Sequence, residues 1–227
     1  SNKANAHQTP KTKNNIDALD NFNTIAIVTG QQVGILGGPL YTIYKILTAI
    51  KLANQFNERF EDYKFVPVFW LEGDDHDFNE VRSVNIFDTE NQVLNIGYKS
   101  EIEDDDAKLS VGNINFDESI NDFLNSLENS LRQSDFKEGL LNKLRNFYVQ
   151  GKTFKQSFKE LIFWLFDEYG LVIFDPQDIS VKQLLKPIFA KEINNFQAHT
   201  EKLIQRSADL EELYHAQVKV KPVNLFY

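Results

Sequence analysis

The sequence predicts an α/β fold in which a mostly parallel sheet is flanked by helices. Three short apolar runs rich in β-branched and aromatic residues, 24–29, 65–71 and 171–174, are typical of buried strands. Stretches with helical spacing separate these runs along the chain, which favours parallel pairing. A chain of 227 residues with 42% hydrophobic content is long enough to bury a sizeable core.

The first strand, TIAIVT, is expected to be buried and to end at Gly30, and Pro39 is well placed as the first residue of the helix that follows. That helix should reach about Gln55, because apolar residues recur at helical spacing up to that point. A helical turn is expected at 15–19, two strands within 81–96 joined by a turn at 88–91, and a charged loop at 100–106. Helices are expected at 117–132, 134–150, 152–169 and 180–214. Gly170 should end the third of these helices, Pro187 could break the fourth, and one or two strands should follow within 216–227.

Composition narrows the class of protein. The net charge is −9, from 33 acidic and 24 basic residues, which disfavours a nucleic-acid partner because phosphate backbones need clustered cations. No apolar run is long enough to span a bilayer and no secretory signal is visible, so no membrane association is expected. The absence of cysteine is compatible with a cytoplasmic location.

The absence of methionine indicates an internal fragment or a numbering that skips positions.

The segment TGQQVGILGGPLYTIYK carries four glycines within nine residues, between a predicted strand and a predicted helix. Glycine permits positive φ and close approach, and a helix start attracts a phosphate or carboxylate. The ammonium of Lys45 is expected to reach back toward such an anion. The spacing matches neither a P-loop nor a dinucleotide fingerprint. A tight turn that only packs a helix on the sheet is the alternative. The candidate binding residues here are Gly30, Gln31, Gln32, Gly34, Gly37, Gly38, Tyr41 and Thr42.

A cluster of acidic residues, EGDDHDFNE, begins where the second strand ends. Asp74, Asp75 and Asp77 could hold Mg²⁺ or bind the amine or hydroxyls of a substrate, and His76 could act as an acid or base oriented by an aspartate. The alternative is a solvated acidic turn. The carboxyl ends of parallel strands line the ligand crevice, and this position favours a functional site. The metal, if any, is unidentified.

These two motifs, with the tail HAQVKVKPVNLFY, resemble the bacillithiol biosynthesis enzyme family that adds cysteine, a family of cysteine ligases. The resemblance covers nearly the whole chain. It implies a Rossmann-like core with an inserted connecting region, here about 81–150. Residues 1–23 are polar and are expected to be a leader into a core fragment at 24–227. The resemblance also implies a C-terminal coiled coil, absent from this chain, that joins two subunits of a homodimer. The family commonly has glutamate where this chain has Asp74.

The resemblance further implies a reaction that joins cysteine to glucosaminyl malate through an amide. Since an amide requires an activated carboxyl, ATP is the expected source of activation. Under this hypothesis the glycine loop holds the nucleotide or the activated carboxyl, and Lys45 offsets negative charge. Asp74, Asp75 and Asp77 would bind the amino group or Mg²⁺, and His76 would help deprotonate the amine. Two rival hypotheses are a nucleotidyltransferase-like or sugar-phosphate enzyme and a non-catalytic scaffold.

Overall fold

The computed structural model describes residues 9–100, 110–217 and 219–222. The chain divides into two compact units, 1–177 and 178–227. The first unit contains the elements α1 (Pro10–Ala18), β1 (Thr24–Gln32), α2 (Tyr41–Arg59), β2 (Lys64–Glu72), α3 (Phe78–Val81), β3 (Ser83–Phe87), β4 (Val93–Gly97), α4 (Ser119–Ser130), α5 (Lys137–Phe147), α6 (Phe154–Phe166) and β5 (Val172–Phe174). The second contains α7 (Ile179–Glu211).

A three-stranded parallel sheet in the order β1-β2-β5 forms the centre of the first unit, as the sequence predicts. β2 is the middle strand, so its apolar run is buried. Strands β3 and β4 form a separate antiparallel hairpin within 81–96, again as predicted. None of the helices among the described residues combines the length and apolar character needed to cross a membrane.

The main core lies on one face of the parallel sheet, where α6 packs. Phe158 of α6 is fully buried and stacks on Phe69 of β2, with ring centroids 5.9 Å apart. α6 begins with a capping box: the Thr153 side chain accepts a hydrogen bond from the backbone N–H of Gln156, whose side chain accepts one from the N–H of Thr153. α6 ends at Phe166, earlier than predicted, and a 3-10 turn over Asp167–Tyr169 continues it. Gly170 ends that turn with φ 79°, so the predicted glycine cap is confirmed.

The region predicted as a polar leader contains α1, a helix of nine residues in place of the single turn expected at 15–19. Thr9 caps the helix and Pro10 occupies its first turn, a combination typical of helix starts. The buried amide of Asn15 donates a hydrogen bond of 2.6 Å to the carbonyl oxygen of Gly170. α1 is therefore attached to the end of α6, 155 residues away in sequence.

The prediction that β1 is buried is wrong. β1 is an edge strand of the described sheet, and Ile25 and Val28 are 41% and 56% exposed. The strand also continues through Gly30 to Gln32, because its pairing with β2 extends to Glu72. Apolar sequence predicted the strand correctly but could not reveal how many neighbours would cover it.

Three further boundaries differ from the prediction. α2 begins at Tyr41, since Pro39 belongs to a preceding turn in which its carbonyl accepts a hydrogen bond from the N–H of Thr42. α7 continues through Pro187 without a break. Residues 216–217 and 219–222 form no strand, and residues 218 and 223–227 lie outside the described residues. Most of the predicted charged loop also lies outside the described residues.

The predicted inserted region, 81–150, contains the β3–β4 hairpin, α4 and α5.

Replacing Asn15 with alanine should destabilise the protein by about 1–2 kcal/mol relative to replacing Asn14, because N15A leaves the buried Gly170 carbonyl without its donor. Asn14 lies next to Asn15 in α1 and is exposed, so both variants gain the same helix propensity. Urea unfolding measures the difference. Equal stability of N15A and N14A would show that α1 is not held at this point.

Candidate active site

The parallel register brings the two sequence motifs to one edge of the sheet. Gln32, the last residue of β1, pairs with Glu72, the last residue of β2. The backbone N–H of Val33 then donates a hydrogen bond of 2.8 Å to the carbonyl oxygen of Glu72. The glycine loop and the acidic turn therefore leave the sheet side by side, at the edge where parallel α/β sheets bind ligands.

The glycine loop contains a left-handed segment just before α2. Leu36, Gly37 and Gly38 have φ values of 52°, 87° and 70°. Leucine rarely adopts this conformation, so the flanking glycines and a buried support are needed to keep it. Tyr148, the C-cap residue of α5, is buried beside this segment, and its hydroxyl has no hydrogen-bond partner among the described residues. Burial raises the pKa of the Tyr148 phenol although the backbone N–H groups of Leu36 and Gly37 lower it.

The predicted binding glycines have different roles. A Cβ on Gly30 would lie 2.9 Å from the Cβ atom of Trp70, so this glycine lets β1 and β2 approach each other. A Cβ on Gly37 would lie 3.3 Å from the side chain of Leu161 in α6. Gly34 and Gly38, in contrast, line an open cavity. Only part of the glycine pattern therefore faces a potential ligand.

A cavity of about 410 Å³ separates the glycine loop from the α3–β3 segment. Its volume lies within the range of small-molecule sites. One wall contains the predicted binding residues Gln31, Gln32, Gly34, Gly38 and Tyr41. The other wall carries Glu80, Val81, Ser83, Val84 and Asn85, and Val33, Pro39 and Leu40 complete the lining. Ser83 and Asn85 alternate along β3 and so share a face of the hairpin, but nothing in the sequence places that face against the loop.

Two polar groups near this cavity lack a protein partner among the described residues. The Nε2 atom of Gln32, which lines the cavity, is buried and donates no hydrogen bond. The hydroxyl of Thr42, a predicted binding residue, is also buried and unpartnered, and a Cβ on Gly38 would lie 3.7 Å from it. Buried polar groups without partners carry a free-energy penalty, which a bound ligand could remove at Gln32.

Lys45 reaches back along α2, as its position predicts, but it ends on protein oxygens and does not line the cavity. Its ammonium donates hydrogen bonds to the Gly30 carbonyl oxygen at 2.5 Å and to Oε1 of Gln31 at 3.1 Å. The Gln31 amide in turn donates to the Tyr41 hydroxyl at 3.3 Å. Lys45 thus links α2 to the end of β1 and orients the side chain of Gln31.

The carboxylates of the acidic turn organise the turn itself. Oδ1 of Asp75 accepts hydrogen bonds from the N–H groups of His76 and Asp77, at 2.6 and 3.1 Å. Oδ1 of Asp77 accepts from the N–H of Glu80 at 3.0 Å and caps α3. All four residues are exposed. The cap positions Glu80 at the cavity, so the acidic turn and the cavity wall are one continuous structure.

Gln177, which follows β5, holds Asp74 in place and was not predicted. Its amide donates to Oδ1 of Asp74 at 2.5 Å and to the Ser110 hydroxyl at 3.2 Å, and its Oε1 accepts from Lys155 at 2.8 Å. Lys155 also forms an ion pair of 3.2 Å with Asp175. Since β5 ends at the same edge as β1 and β2, the sequence DPQ after this strand was the available signal.

Two features of the described residues bear on the expected cofactors, Mg²⁺ and ATP. Among the described residues, no group of three or more histidine or carboxylate side chains could hold a metal ion. Glu80 is the only charged side chain that the described residues contribute to the cavity lining. A triphosphate in this cavity would meet a carboxylate and no cation, so the lining does not suit the phosphates of ATP.

The parallel sheet, the glycine loop and the acidic turn at its carboxyl edge define a Rossmann-like α/β domain of the ligand-binding kind. Residues 1–227 match the family model described as bacillithiol biosynthesis BshC, N-terminal Rossmann-like domain. The chain belongs to this family.

Curated relatives agree with this assignment. Proteins named "Putative cysteine ligase BshC" from Chloroherpeton thalassium and Salinibacter ruber are 37% and 35% identical to it over 220 and 218 residues. Each alignment covers 96% of this chain and 39% of the relative. A relative of the same name from Flavobacterium johnsoniae is 30% identical, over 95% of this chain and 38% of its own length. The chain therefore spans about two fifths of the length of these relatives.

Replacing Gly37 with alanine should destabilise the protein by about 1–2 kcal/mol, because its φ of 87° is unfavourable for alanine and the added methyl group meets Leu161. G139A is the matched control: Gly139 lies in α5 with no atom near the added Cβ, so this change should stabilise by roughly 0.5 kcal/mol. Thermal unfolding compares the two. A neutral G37A would contradict the left-handed loop.

Proposed function

We propose that this chain is the Rossmann-like domain of a cysteine ligase of bacillithiol biosynthesis, which joins cysteine to glucosaminyl malate through an amide. The observation that carries the proposal is the cavity at the carboxyl edge of the sheet, bounded by the glycine loop and continuous with the acidic turn. Membership of the family and the names of the relatives support the ligase chemistry.

The chemistry requires an activated carboxyl. Attack by the sugar amine on that carboxyl forms the C–N bond, expels the activating group and releases a proton from the nitrogen. ATP is the proposed source of activation, through an adenylate of cysteine. Because the cavity lining does not suit its phosphates, ATP is not proposed to occupy this cavity.

The sugar amine is proposed to lose its proton at the acidic turn. The backbone of His76 is fixed by Asp75 and the residue is exposed, and we propose that its ring accepts the proton as a general base. Asp74 and Asp77, exposed carboxylates of the same turn, are proposed to bind the amino group. Lys45 acts through the glycine loop, because its ammonium is engaged by Gly30 and Gln31.

An ATP–pyrophosphate exchange assay on the full-length protein separates the two half-reactions. Wild-type protein should exchange pyrophosphate only when cysteine is present. H76A should lower amide formation about 100-fold while leaving exchange near the wild-type rate, because the base acts after activation. H215A is the control, since the side chain of His215 is 77% exposed and lies in the second unit.

Two results would count against this scheme. Amide formation without cysteine-dependent exchange would exclude the adenylate route. An equal loss of both half-reactions in H76A would remove the histidine from the amine step. Turnover of a sugar phosphate or nucleotide sugar without cysteine would instead support a transferase.

A further inference from the structure

The side chain of Gln177 connects a cation to a carboxylate at the carboxyl edge of the sheet. Its Oε1 atom accepts a hydrogen bond of 2.8 Å from the Lys155 ammonium, and its Nε2 atom donates one of 2.5 Å to Oδ1 of Asp74. An ammonium can only donate and an ionised carboxylate can only accept, so the two partners impose the same orientation on the amide. Oδ2 of Asp74 has no protein donor among the described residues and is available to a ligand.

Asp175 holds both Lys155 and Gln177 in place. Its Oδ2 atom forms an ion pair of 3.2 Å with the Lys155 ammonium, and its Oδ1 atom accepts a hydrogen bond of 3.0 Å from the backbone N–H of Gln177. The side chains of Lys155 and Asp175 are 20% and 13% exposed, so water and salt screen this pair less than a surface pair. A chain of polar contacts therefore runs from α6 and the end of β5 to the exposed carboxylate of Asp74.

The backbone of the acidic turn is held by other contacts. The N–H of Val111 donates a hydrogen bond of 2.7 Å to the carbonyl oxygen of Asp75. The N–H of Gly112 donates one of 3.0 Å to the carbonyl oxygen of Gly73. Because these bonds do not involve the side chain of Gln177, loss of its amide should release only the carboxylate that the amide binds and leave the backbone of the turn in place.

We propose that Gln177 and Lys155 are positioning residues for amide formation. Gln177 fixes the carboxylate of Asp74 so that Oδ2 can receive the amine of the sugar substrate, and Lys155 fixes the amide of Gln177. The proposal rests on the proposed function, in which Asp74 binds that amine beside His76. A carboxylate that rotates freely must be ordered when the amine binds, and this entropic cost lowers the affinity.

Steady-state amide formation by the full-length protein tests the proposal, with glucosaminyl malate and cysteine varied separately. Q177E keeps the shape of the side chain but replaces its donor with an oxygen atom, which repels the Asp74 carboxylate. This variant should raise the KM for glucosaminyl malate about tenfold and leave the KM for cysteine unchanged. Q205E is the matched control and should behave as wild type, because Gln205 donates the same kind of bond, 2.9 Å to Oδ1 of Asp209, within α7.

A pair of lysine variants tests the second positioning residue. K155M removes the donor that orients the amide, and it should raise the KM for glucosaminyl malate about threefold because the bond to Asp74 persists. K152M is the control: Lys152 forms an ion pair of 2.6 Å with Glu160, and this variant should leave both KM values unchanged. Loss of an ion pair close to α6 would then be insufficient to explain the effect of K155M.

A double mutant shows whether Gln177 acts through Asp74. D74N has no negative charge at this position to repel the introduced carboxylate, so Q177E should change the KM for glucosaminyl malate little in the D74N background. A merely structural role of Gln177 would give the same loss in both backgrounds.

Three results would overturn the proposal: Q177E leaves the KM for glucosaminyl malate unchanged, it raises both KM values equally, or its effect persists in D74N. Wild-type protein that forms no amide would overturn the proposed function and this inference with it. Failure of the adenylate route alone changes none of these expectations, because each KM is measured on the complete reaction.

Discussion

The parallel register between β1 and β2 is the constraint on which the site depends. Thr24 pairs with Lys64 and Gln32 with Glu72, so the two strands end together. Gly30 makes this possible, because a side chain there would collide with Trp70. A parallel pair cannot be joined by a tight turn, and the intervening α2 returns the chain to the opposite edge. The loops after both strands consequently face one crevice.

Each loop is then fixed by contacts outside the sheet. The left-handed segment of the glycine loop lies against α6, where Gly37 approaches Leu161, and the buried Tyr148 lies beside it. The acidic turn is tied to the end of β5 through Gln177, with a close approach between Gly73 and Gly112 beneath it. Solvent-exposed carboxylates close together repel each other, and these hydrogen bonds offset that repulsion. Contacts within the protein thus organise both loops of the site.

The sequence was sufficient for those features that depend on local pattern. The strands, the hairpin and the two motifs at the strand ends follow from periodicity, glycine spacing and the position of charged residues. Gln177, Ser83 and Asn85 were missed because their roles arise from contacts with residues distant in sequence. The exposure of β1 was missed for a similar reason, since apolar residues predict a strand but not its neighbours.

The structure also changes the chemical interpretation of the glycine loop. From the sequence, its glycines and Lys45 indicate an anion cradle. In the fold, Gly30 and Gly37 serve packing, Lys45 closes β1, and Glu80 is the charged residue that the described part of the chain brings to the cavity. The loop thereby becomes one wall of a cavity whose described lining is polar, uncharged apart from Glu80, and without a cation.

A crystal structure of the full-length protein with glucosaminyl malate and ATP tests this account most directly. The account predicts the sugar at the carboxyl edge of β1 and β2, in the cavity beside the glycine loop, with its amine nitrogen directed to the acidic turn that carries His76. Phosphate groups of ATP in that cavity, or the sugar bound away from both the glycine loop and the α3–β3 wall, would contradict it.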